Sequence, residues 1–528
     1  MVKVTIDGTE LEFAAGTSLF DACRAARGEA LPHFCYHPDL SVAGVCRLCQ
    51  VEVEGMPKLT IACNTTVREG MVVHTRSEKV RRAAQQILEM HLINHPVDCP
   101  ICDQAGECGL QDQYMTYGLY ESEVGQSDKV HKAKVQVIGP RVVLDKERCV
   151  LCSRCVRFCD EVTRTGELGI FNRGDRAEIG VAPGLQLDNA YSLNTVDICP
   201  VGALTSLDFR FKKRVWLLRS TPTLCHGCAT GCNVRVDHEA GTVYRLKPRR
   251  NAAVNGAWMC DEGRDTYRPL HADSRLREPL LRRDGALRPA TWPEAWSALA
   301  AAVGVAAPLG AAVVSPRQTL EEIALFAHLA AALGAPTAGV SGGPREADRG
   351  EGDDLLRSAD RAPNRGSLAW LGLAEPTGAD LAARAREARG AVLVYGADPA
   401  ADAPGWREAV AGRTVIHLGT HLSATAEAAD IVIPLSAWAE KDGLLVNRQG
   451  RVQASRRAIA RPGLALEDWR FLADWLAAAG ATDVPSSLPD LRRWVAGRVP
   501  ALAGVDLAVL PPEGLIPDAV AAGSGGER

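Results

Sequence analysis

The cysteines of this chain are confined to one half of it and are closely spaced there. All 17 lie before residue 261 of the 528 residues. Fifteen of them, with one histidine, form four successive quartets, each built around the C-x2-C spacing common among metal ligands. The quartets are Cys35, Cys46, Cys49 and Cys63; His95, Cys99, Cys102 and Cys108; Cys149, Cys152, Cys155 and Cys199; and Cys225, Cys228, Cys232 and Cys260. Such quartets are typical of iron–sulfur clusters, so the sequence predicts a row of electron-transfer modules.

A disulfide framework is the alternative use of so many cysteines. No run of 18 apolar residues occurs, and the first residues lack the apolar core of a signal peptide, so we expect a soluble chain made in the cytosol. Thiols stay reduced there, and the cysteine count is odd, which favours metal ligation over disulfides. The net charge of −4 gives no electrostatic reason to expect a nucleic acid or a membrane surface as a direct partner.

Residues 1–78 have the pattern of a β-grasp ferredoxin domain. Strands are predicted at 2–6, 11–13, 50–54 and 71–74. A hairpin turn is predicted at Asp7-Gly8, and a helix capped by Thr17 carries Cys23, which we expect to be a buried core thiol. The first quartet, with a glycine-containing loop that offers N–H donors, predicts a [2Fe–2S] cluster. A zinc ribbon is the alternative.

Residues 79–120 carry the second quartet, which has three cysteines and needs a fourth ligand. A helix capped by Ser77 is predicted to stop before Pro96, because proline disfavours helical backbone in the residue before it. His95, at the helix end, is therefore the nearest candidate for the fourth ligand of a [4Fe–4S] cluster, and His91, one turn earlier, is the competitor. A neutral imidazole in place of a thiolate removes one negative charge, which is one determinant of the reduction potential.

Residues 138–210 hold the third quartet, which begins as the C-x2-C-x2-C run of bacterial ferredoxins. Cys159 occupies the position that usually serves another cluster, but an aspartate follows it rather than a proline. Cys199 is followed by proline, so we assign Cys199 as the fourth ligand of a [4Fe–4S] cluster and Cys159 as a bystander. Residues 218–274 hold the fourth quartet, which predicts a further [4Fe–4S] cluster, with zinc as the alternative.

The remaining sequence has the pattern of an α/β domain at 285–480, followed by a C-terminal segment and tail at 481–528. Apolar strands are predicted at 311–314, 391–395, 414–418 and 431–435, alternating with helical stretches such as 320–333. Residues 341–376 are predicted to form loops, and 511–528 a loose tail. No glycine-rich nucleotide motif occurs.

Two motifs resemble the iron–sulfur G subunits of NADH-quinone oxidoreductase, respiratory complex I. They are NHPVDCPICDQAGECGLQD at 94–112 and CYH through SVAGVCRLC at 35–49. The resemblance runs through all four quartets and implies that His95 and Cys199 complete the second and third ligand sets. It implies one [2Fe–2S] and three [4Fe–4S] clusters, the fourth quartet being one found in many bacterial members of the family. It also implies electron transfer from a flavin-containing, NADH-oxidising subunit toward quinone-side iron–sulfur subunits, on the cytoplasmic face of the membrane and bound to it through the complex.

The second half resembles molybdopterin oxidoreductases at 393–400, 425–434 and 439–453, and the complex I family carries such a domain as a relic without the cofactor. This chain's version is short, offers no cysteine to molybdenum, and has an acidic stretch after Cys260, so no molybdopterin is expected. The fold class predicted is therefore multidomain α+β followed by a truncated α/β domain. The alternatives are a subunit of an NAD-linked formate dehydrogenase or a related hydrogenase, and a zinc-stapled scaffold.

Overall fold

The computed structural model describes residues 1–122, 124–303, 308–336 and 339–523, and it divides into two compact units, Met1–Leu218 and Arg219–Arg528. Among the described residues, no helix is both long and apolar enough to cross a membrane. The combination of small, mainly antiparallel sheets in the first unit and a largely parallel sheet in the second confirms the predicted fold class.

The first unit opens with a five-stranded sheet packed on one helix, as the β-grasp prediction requires. The strands, in sheet order, are Thr9–Phe13, Val2–Ile6, Met71–His74, Gln50–Val53 and Thr60–Ile61. The turn at Asp7 and Gly8 has positive φ at both residues, the geometry of a tight hairpin turn. The helix Leu19–Arg27 is capped by Ser18 rather than by Thr17, so the predicted cap was one residue early. The Ser18 hydroxyl accepts the Asp21 N–H, whereas the Thr17 hydroxyl donates to a carbonyl three residues earlier.

The rest of the first unit is built from short elements that leave long loops around the cysteines. The helix Glu78–Leu92 is capped by Ser77 and ends before Pro96, as predicted. The other helical segments are Cys99–Ile101, Gly109–Tyr117, Gln126–Asp128, Arg154–Arg157, Phe158–Val162, Gly174–Arg176, Asn194–Asp197 and Val215–Leu217. The strands are Gln136–Val137, Val142–Leu144 and Leu204–Ser206 in one sheet and Leu168–Phe171 and Glu178–Val181 in another.

The second unit combines a small antiparallel sheet with a seven-stranded sheet. The small sheet consists of Arg219–Leu224, Asn233–Glu239 and Thr242–Pro248. The large sheet runs in the order Ala286–Pro289, Leu280–Arg283, Ile431–Pro434, Val415–Gly419, Ala391–Tyr395, Leu309–Val314 and Val340–Gly342. Its last five strands are parallel to one another, which confirms the α/β prediction. A further hairpin pairs Gly443–Val446 with Val452–Ser455.

Helices cover both faces of the large sheet. Leu320–Ala332 and Asp468–Ala478 pack on one face, and Gly378–Glu387 and Trp406–Ala409 pack on the other. The other helical segments of the second unit are Asp261–Arg264, Asp265–His271, Trp292–Ala302, Arg345–Asp348, Arg365–Trp370, Pro399–Asp402, Ala424–Ala428, Trp438–Glu440, Leu488–Ala496, Pro500–Leu502 and Asp518–Gly523. The prediction of loops at 341–376 was wrong for the helical part of that segment. The predicted loose tail was wrong up to residue 523, because Leu515 exchanges backbone hydrogen bonds with Val452. Residues 524–528 lie outside the described residues.

Candidate iron–sulfur sites

The first quartet lies at the edge of the β-grasp sheet, on a loop and at the start of a strand. All four thiols are buried, and the backbone N–H of Ala62 donates to the Cys49 carbonyl at 3.0 Å, which brings Cys63 beside Cys49. The N–H of Phe34 donates to Cys46 Sγ at 3.4 Å. Phe34 precedes Cys35, so this donor lies outside the glycine-containing loop, whose N–H donors to the cluster remain a prediction.

The four thiols of this quartet are close enough to hydrogen-bond to one another. Hydrogen bonds from Cys46 and Cys63 lower the pKa of the Cys35 thiol, and the hydrogen bonds of Cys63 with Cys35 and Cys49 in turn raise the pKa of the Cys63 thiol. The Cys49 pKa is lowered in the same way by the Cys63 thiol. Four buried thiolates so close together repel one another unless cations compensate them, which is what iron supplies to thiolate ligands. The residues therefore fit a cluster. Cys23 is a separate, buried core thiol, as predicted. Burial raises the pKa of this thiol to about 12.

His95 lies just beyond the helix end, with its side chain half-buried and its backbone fixed. The Lys129 ammonium donates to the carbonyls of Leu92, Ile93 and His95 at 3.0, 3.0 and 2.8 Å. Burial lowers the pKa of His95 to about 4, so its ring is neutral and one nitrogen carries a free lone pair. Its Nδ1 is buried and makes no hydrogen bond to the residues that the structure describes. This buried nitrogen without a partner fits a metal ligand.

His91 has a different role from the one considered in the sequence. Its Nε2 lies 3.3 Å from the carbonyl oxygen of Cys46, and its ring packs edge-on against Phe34. It therefore contacts the first quartet, which supports His95 as the candidate for the second.

The thiols of the second quartet lie between the Cys99–Ile101 turn and the start of the Gly109–Tyr117 helix. Burial raises the pKa of the Cys102 thiol, and that of Cys108 to about 11. A Cβ added at Gly202, in the loop after Cys199, would overlap Cys102 Sγ. The sequence analysis missed Gly202, although it lies directly in the Cys-Pro-Val-Gly stretch used to assign Cys199.

The third quartet surrounds one small cavity with apolar walls. Cys149, Cys152, Cys155 and Cys199 line it, together with side chains such as Ile179. Burial raises the pKa of the Cys149 thiol to about 12 and that of Cys152 to about 11.

Cys159 is fully buried but does not line the cavity of the third quartet. Burial raises the pKa of its thiol to about 12, and the charges of Glu167 and Asp160 add to this rise. An acidic neighbourhood disfavours the thiolate that a cluster needs. The arrangement supports Cys199 as the fourth ligand.

The third quartet adjoins both of the others in the first unit. The N–H of Gly109, beside Cys108, donates to the Pro200 carbonyl at 2.8 Å, and the Cys108 and Cys199 thiols interact electrostatically. On the side of the first quartet, Arg157 Nη2 donates to the carbonyls of Cys35 and Cys152, at 2.5 and 3.4 Å. The quartet that is third in sequence is therefore the one that connects the first and the second in space.

The fourth quartet lies in the second unit, at the end of its small sheet. The N–H groups of Gly227 and Gly263 donate to the Sγ atoms of Cys225 and Cys260, at 3.4 and 3.3 Å. A Cβ at Gly263 would lie within 3.3 Å of both sulfurs, so only glycine allows this approach without displacement. All four thiols are buried and line a cavity of about 400 Å³, which Trp438 and Lys441 also line.

Among the residues that the structure describes, no three His, Cys, Asp or Glu side chains are grouped as ligands of a single metal ion. The class of protein is defined by the β-grasp domain with its buried thiol quartet and the three further quartets, two of them in the same unit. It is an iron–sulfur protein with a ferredoxin-type domain at its start.

Five family models match segments of the chain. They are a 2Fe-2S iron-sulfur cluster binding domain at 1–78, the NADH-ubiquinone oxidoreductase-G iron-sulfur binding region at 85–123, the NADH-quinone oxidoreductase subunit 3 ferredoxin-like domain at 139–205, the molybdopterin oxidoreductase Fe4S4 domain at 218–271 and molybdopterin oxidoreductase at 385–476.

The chain is similar to curated proteins of one kind. The G subunit of NADH-quinone oxidoreductase from Rickettsia bellii is 42% identical over 300 residues, which are 57% of this chain and 44% of that protein. The G subunit from Streptomyces coelicolor is 42% identical over 298 residues, 56% of this chain and 35% of that protein. The mitochondrial NADH-ubiquinone oxidoreductase 78 kDa subunit of Candida albicans is 43% identical over 305 residues, 57% of this chain and 42% of that protein. The chain is thus similar to these subunits over part of its own length, and it spans less than half the length of each of them.

Among solved structures, a chain of an NAD+-reducing [NiFe]-hydrogenase in the H2-reduced state matches 40% of this chain and 91% of its own length. The sequence identity is 29%, and the TM-score is 0.37.

Proposed function

We propose that this chain is an electron-transfer subunit of an NADH:quinone oxidoreductase. It would receive electrons from a flavin-containing, NADH-oxidising partner and pass them to quinone-side iron–sulfur partners. The observation that carries the proposal is the contact of the third quartet with both the first and the second. Three adjoining cluster sites in one compact unit form a continuous path for electrons, whereas a storage or scaffold protein needs no such continuity.

The proposed ligand sets are those predicted from the sequence, with a [2Fe–2S] cluster on the first quartet and [4Fe–4S] clusters on the other three. When bound, these clusters would supply the one-electron oxidation and reduction that electron transfer requires. The chain's own residues fix the thiolates, donate N–H groups to the sulfurs and exclude water. Donors such as Phe34 N–H stabilise negative charge on sulfur and so favour the reduced state.

We propose that the fourth quartet stabilises the second unit and is not on the path to quinone. Its cavity is lined in part by the α/β domain, through residues such as Arg317, Trp438 and Lys441, and that domain contains no cysteine. Metal binding there would contribute free energy to folding, because ligand groups are brought together only in the folded chain. We further propose domain bounds of 1–78, 79–120, 138–210, 218–274, 285–480 and 481–528.

The membrane association we propose is indirect, through partner subunits on the cytoplasmic face.

The test of the function is elemental analysis of the anaerobically purified full chain. We expect iron and acid-labile sulfide for one two-iron and three four-iron clusters, with no molybdenum and little zinc. Cys35→Ser and Cys152→Ser should each remove the iron of one cluster. Zinc in place of iron, with no sulfide, would refute the proposal in favour of a zinc-stapled scaffold.

A further inference from the structure

Two arginines of one short helix join the loops of the first and third quartets. Arg154 Nη2 donates to the Tyr36 carbonyl at 2.5 Å, next to Cys35, and its Nη1 donates to the Ile198 carbonyl at 3.1 Å, next to Cys199. The two ends of a single guanidinium therefore reach backbone that adjoins a ligand of each quartet. Arg157, one turn later, makes the parallel contacts to the Cys35 and Cys152 carbonyls.

The half-buried Arg154 carries a charge that no carboxylate compensates among the described residues. Its Nε atom is buried without a hydrogen-bond partner, and no Asp or Glu of those residues forms an ion pair with it. By contrast, the buried Arg148 pairs with Asp98 at 2.7 Å. A cation held partly away from water is costly unless an anion lies close by, and the groups that interact with Arg154 are the candidate ligands Cys35, Cys46, Cys152 and Cys199. These cysteines are anionic when they bind iron as thiolates.

We propose that Arg154 is a positioning residue shared by the first and third cluster sites, and that its single positive charge raises the reduction potential of both. The inference deepens the proposed function and rests on it, because it requires clusters on both quartets. Reduction adds one electron to a cluster, and a fixed cation beside the ligands stabilises that added charge. Because the guanidinium adjoins both sites, it raises the reduction potentials of both clusters together. The difference between the two potentials, which drives electron transfer between the clusters, therefore changes less than either potential does.

The experiment is an anaerobic redox titration of the full chain with dithionite, followed by electron paramagnetic resonance of each reduced cluster. Arg154→Gln removes the charge and keeps a polar, shorter side chain, and Arg154→Lys keeps the charge without the two-ended guanidinium. Arg82→Gln is the matched control, because Arg82 is an exposed residue of the Glu78–Leu92 helix. This substitution also removes one positive charge, but from a side chain that is in contact with solvent.

In Arg154→Gln we expect the equilibrium constant for reduction of both clusters to fall about tenfold or more, which is a decrease of about 59 mV for a one-electron couple. Arg154→Lys should keep both potentials near those of the wild type, even if the loops are less stable, and Arg82→Gln should change neither. A shift in one cluster alone, no shift in either, or an equal decrease in the Lys variant would overturn the proposal. If Arg154→Gln loses a cluster, the Lys variant still decides, because only a charge effect predicts unchanged potentials there. Absence of both signals from the wild-type chain would instead refute the proposed function.

Discussion

Replacement of Lys129 by methionine should destabilise the second cluster site more than any other part of the chain. The ammonium of Lys129 donates to three carbonyls, those of Leu92, Ile93 and His95, at 2.8 to 3.0 Å. These carbonyls follow the last turn of the Glu78–Leu92 helix and have no further helical N–H to accept. Methionine fills a similar volume but leaves all three without this donor, and it removes a cation from the negative end of the helix dipole.

The three hydrogen bonds of Lys129 set the size of the expected loss of stability. Hydrogen bonds from a charged donor contribute about 1.5–3 kcal/mol each, but three that share one ammonium are not additive, so we expect a loss of about 2–4 kcal/mol. The loss is local, because Lys129 is buried against the segment that carries His95. The side chain of His95 would then be less well fixed, and the second cluster would be bound less tightly.

The assay is the iron content per chain, together with the resonance signal of each cluster after reduction. Lys129→Met should lower the iron content and weaken the signal of the second cluster, while those of the first and third persist. Lys58→Met is the matched control, because Lys58 is exposed in a turn of the β-grasp domain. Full iron content and an unchanged second signal in Lys129→Met would refute the reasoning that this lysine positions the histidine ligand.

The ligand assignments and one buried carboxyl group give three more predictions. His95→Cys should keep a second cluster but lower its potential in a redox titration, because an added thiolate disfavours the reduced state; His91→Ala should alter the first cluster more than the second, and the opposite pattern would contradict the assignment. Cys199→Ser should remove the third cluster's iron while Cys159→Ser keeps it, and the reverse iron contents would move the ligand to Cys159. Burial raises the pKa of Glu322 from 4.5 to about 7, so its contribution to stability is complete below the unfolded pKa and is lost as pH rises through about 7. The thermal midpoint of Glu322→Gln should therefore change less than that of the wild type between about pH 5 and about pH 8, and an equal change would contradict the assigned pKa.

The cysteine spacing predicts four candidate cluster sites, because most ligands of each quartet come from one short stretch of the chain. The hairpin at Asp7-Gly8, the Ser77 cap and the parallel strands were predictable for the same reason, since each depends on a local pattern. Contacts between distant segments were not predictable in this way. The overlap that a Cβ at Gly202 would make with Cys102 depends on how two loops about 100 residues apart fold together.

The same limit explains the roles of the charged residues and the errors. Arg154 is one of many arginines in the sequence, and nothing in its neighbours shows that it reaches Tyr36. The segment 341–376 is rich in Gly and charge, yet Arg365–Trp370 is helical because Leu368 packs in the core of the α/β domain. Likewise, Leu515 pairs with Val452, and this contact orders a segment whose composition indicated a tail.

We propose that electrons pass through the third quartet on their way between the first and the second. The most direct test is rapid freeze-quench resonance spectroscopy of the assembled complex after mixing with NADH. Cys152→Ser, which removes the third cluster, should leave one of the two outer clusters rapidly reducible and the other not. Cys228→Ser, in the fourth quartet, should leave all three reducible at the wild-type rate in the complexes that assemble. Rapid reduction of both outer clusters in Cys152→Ser would contradict the account.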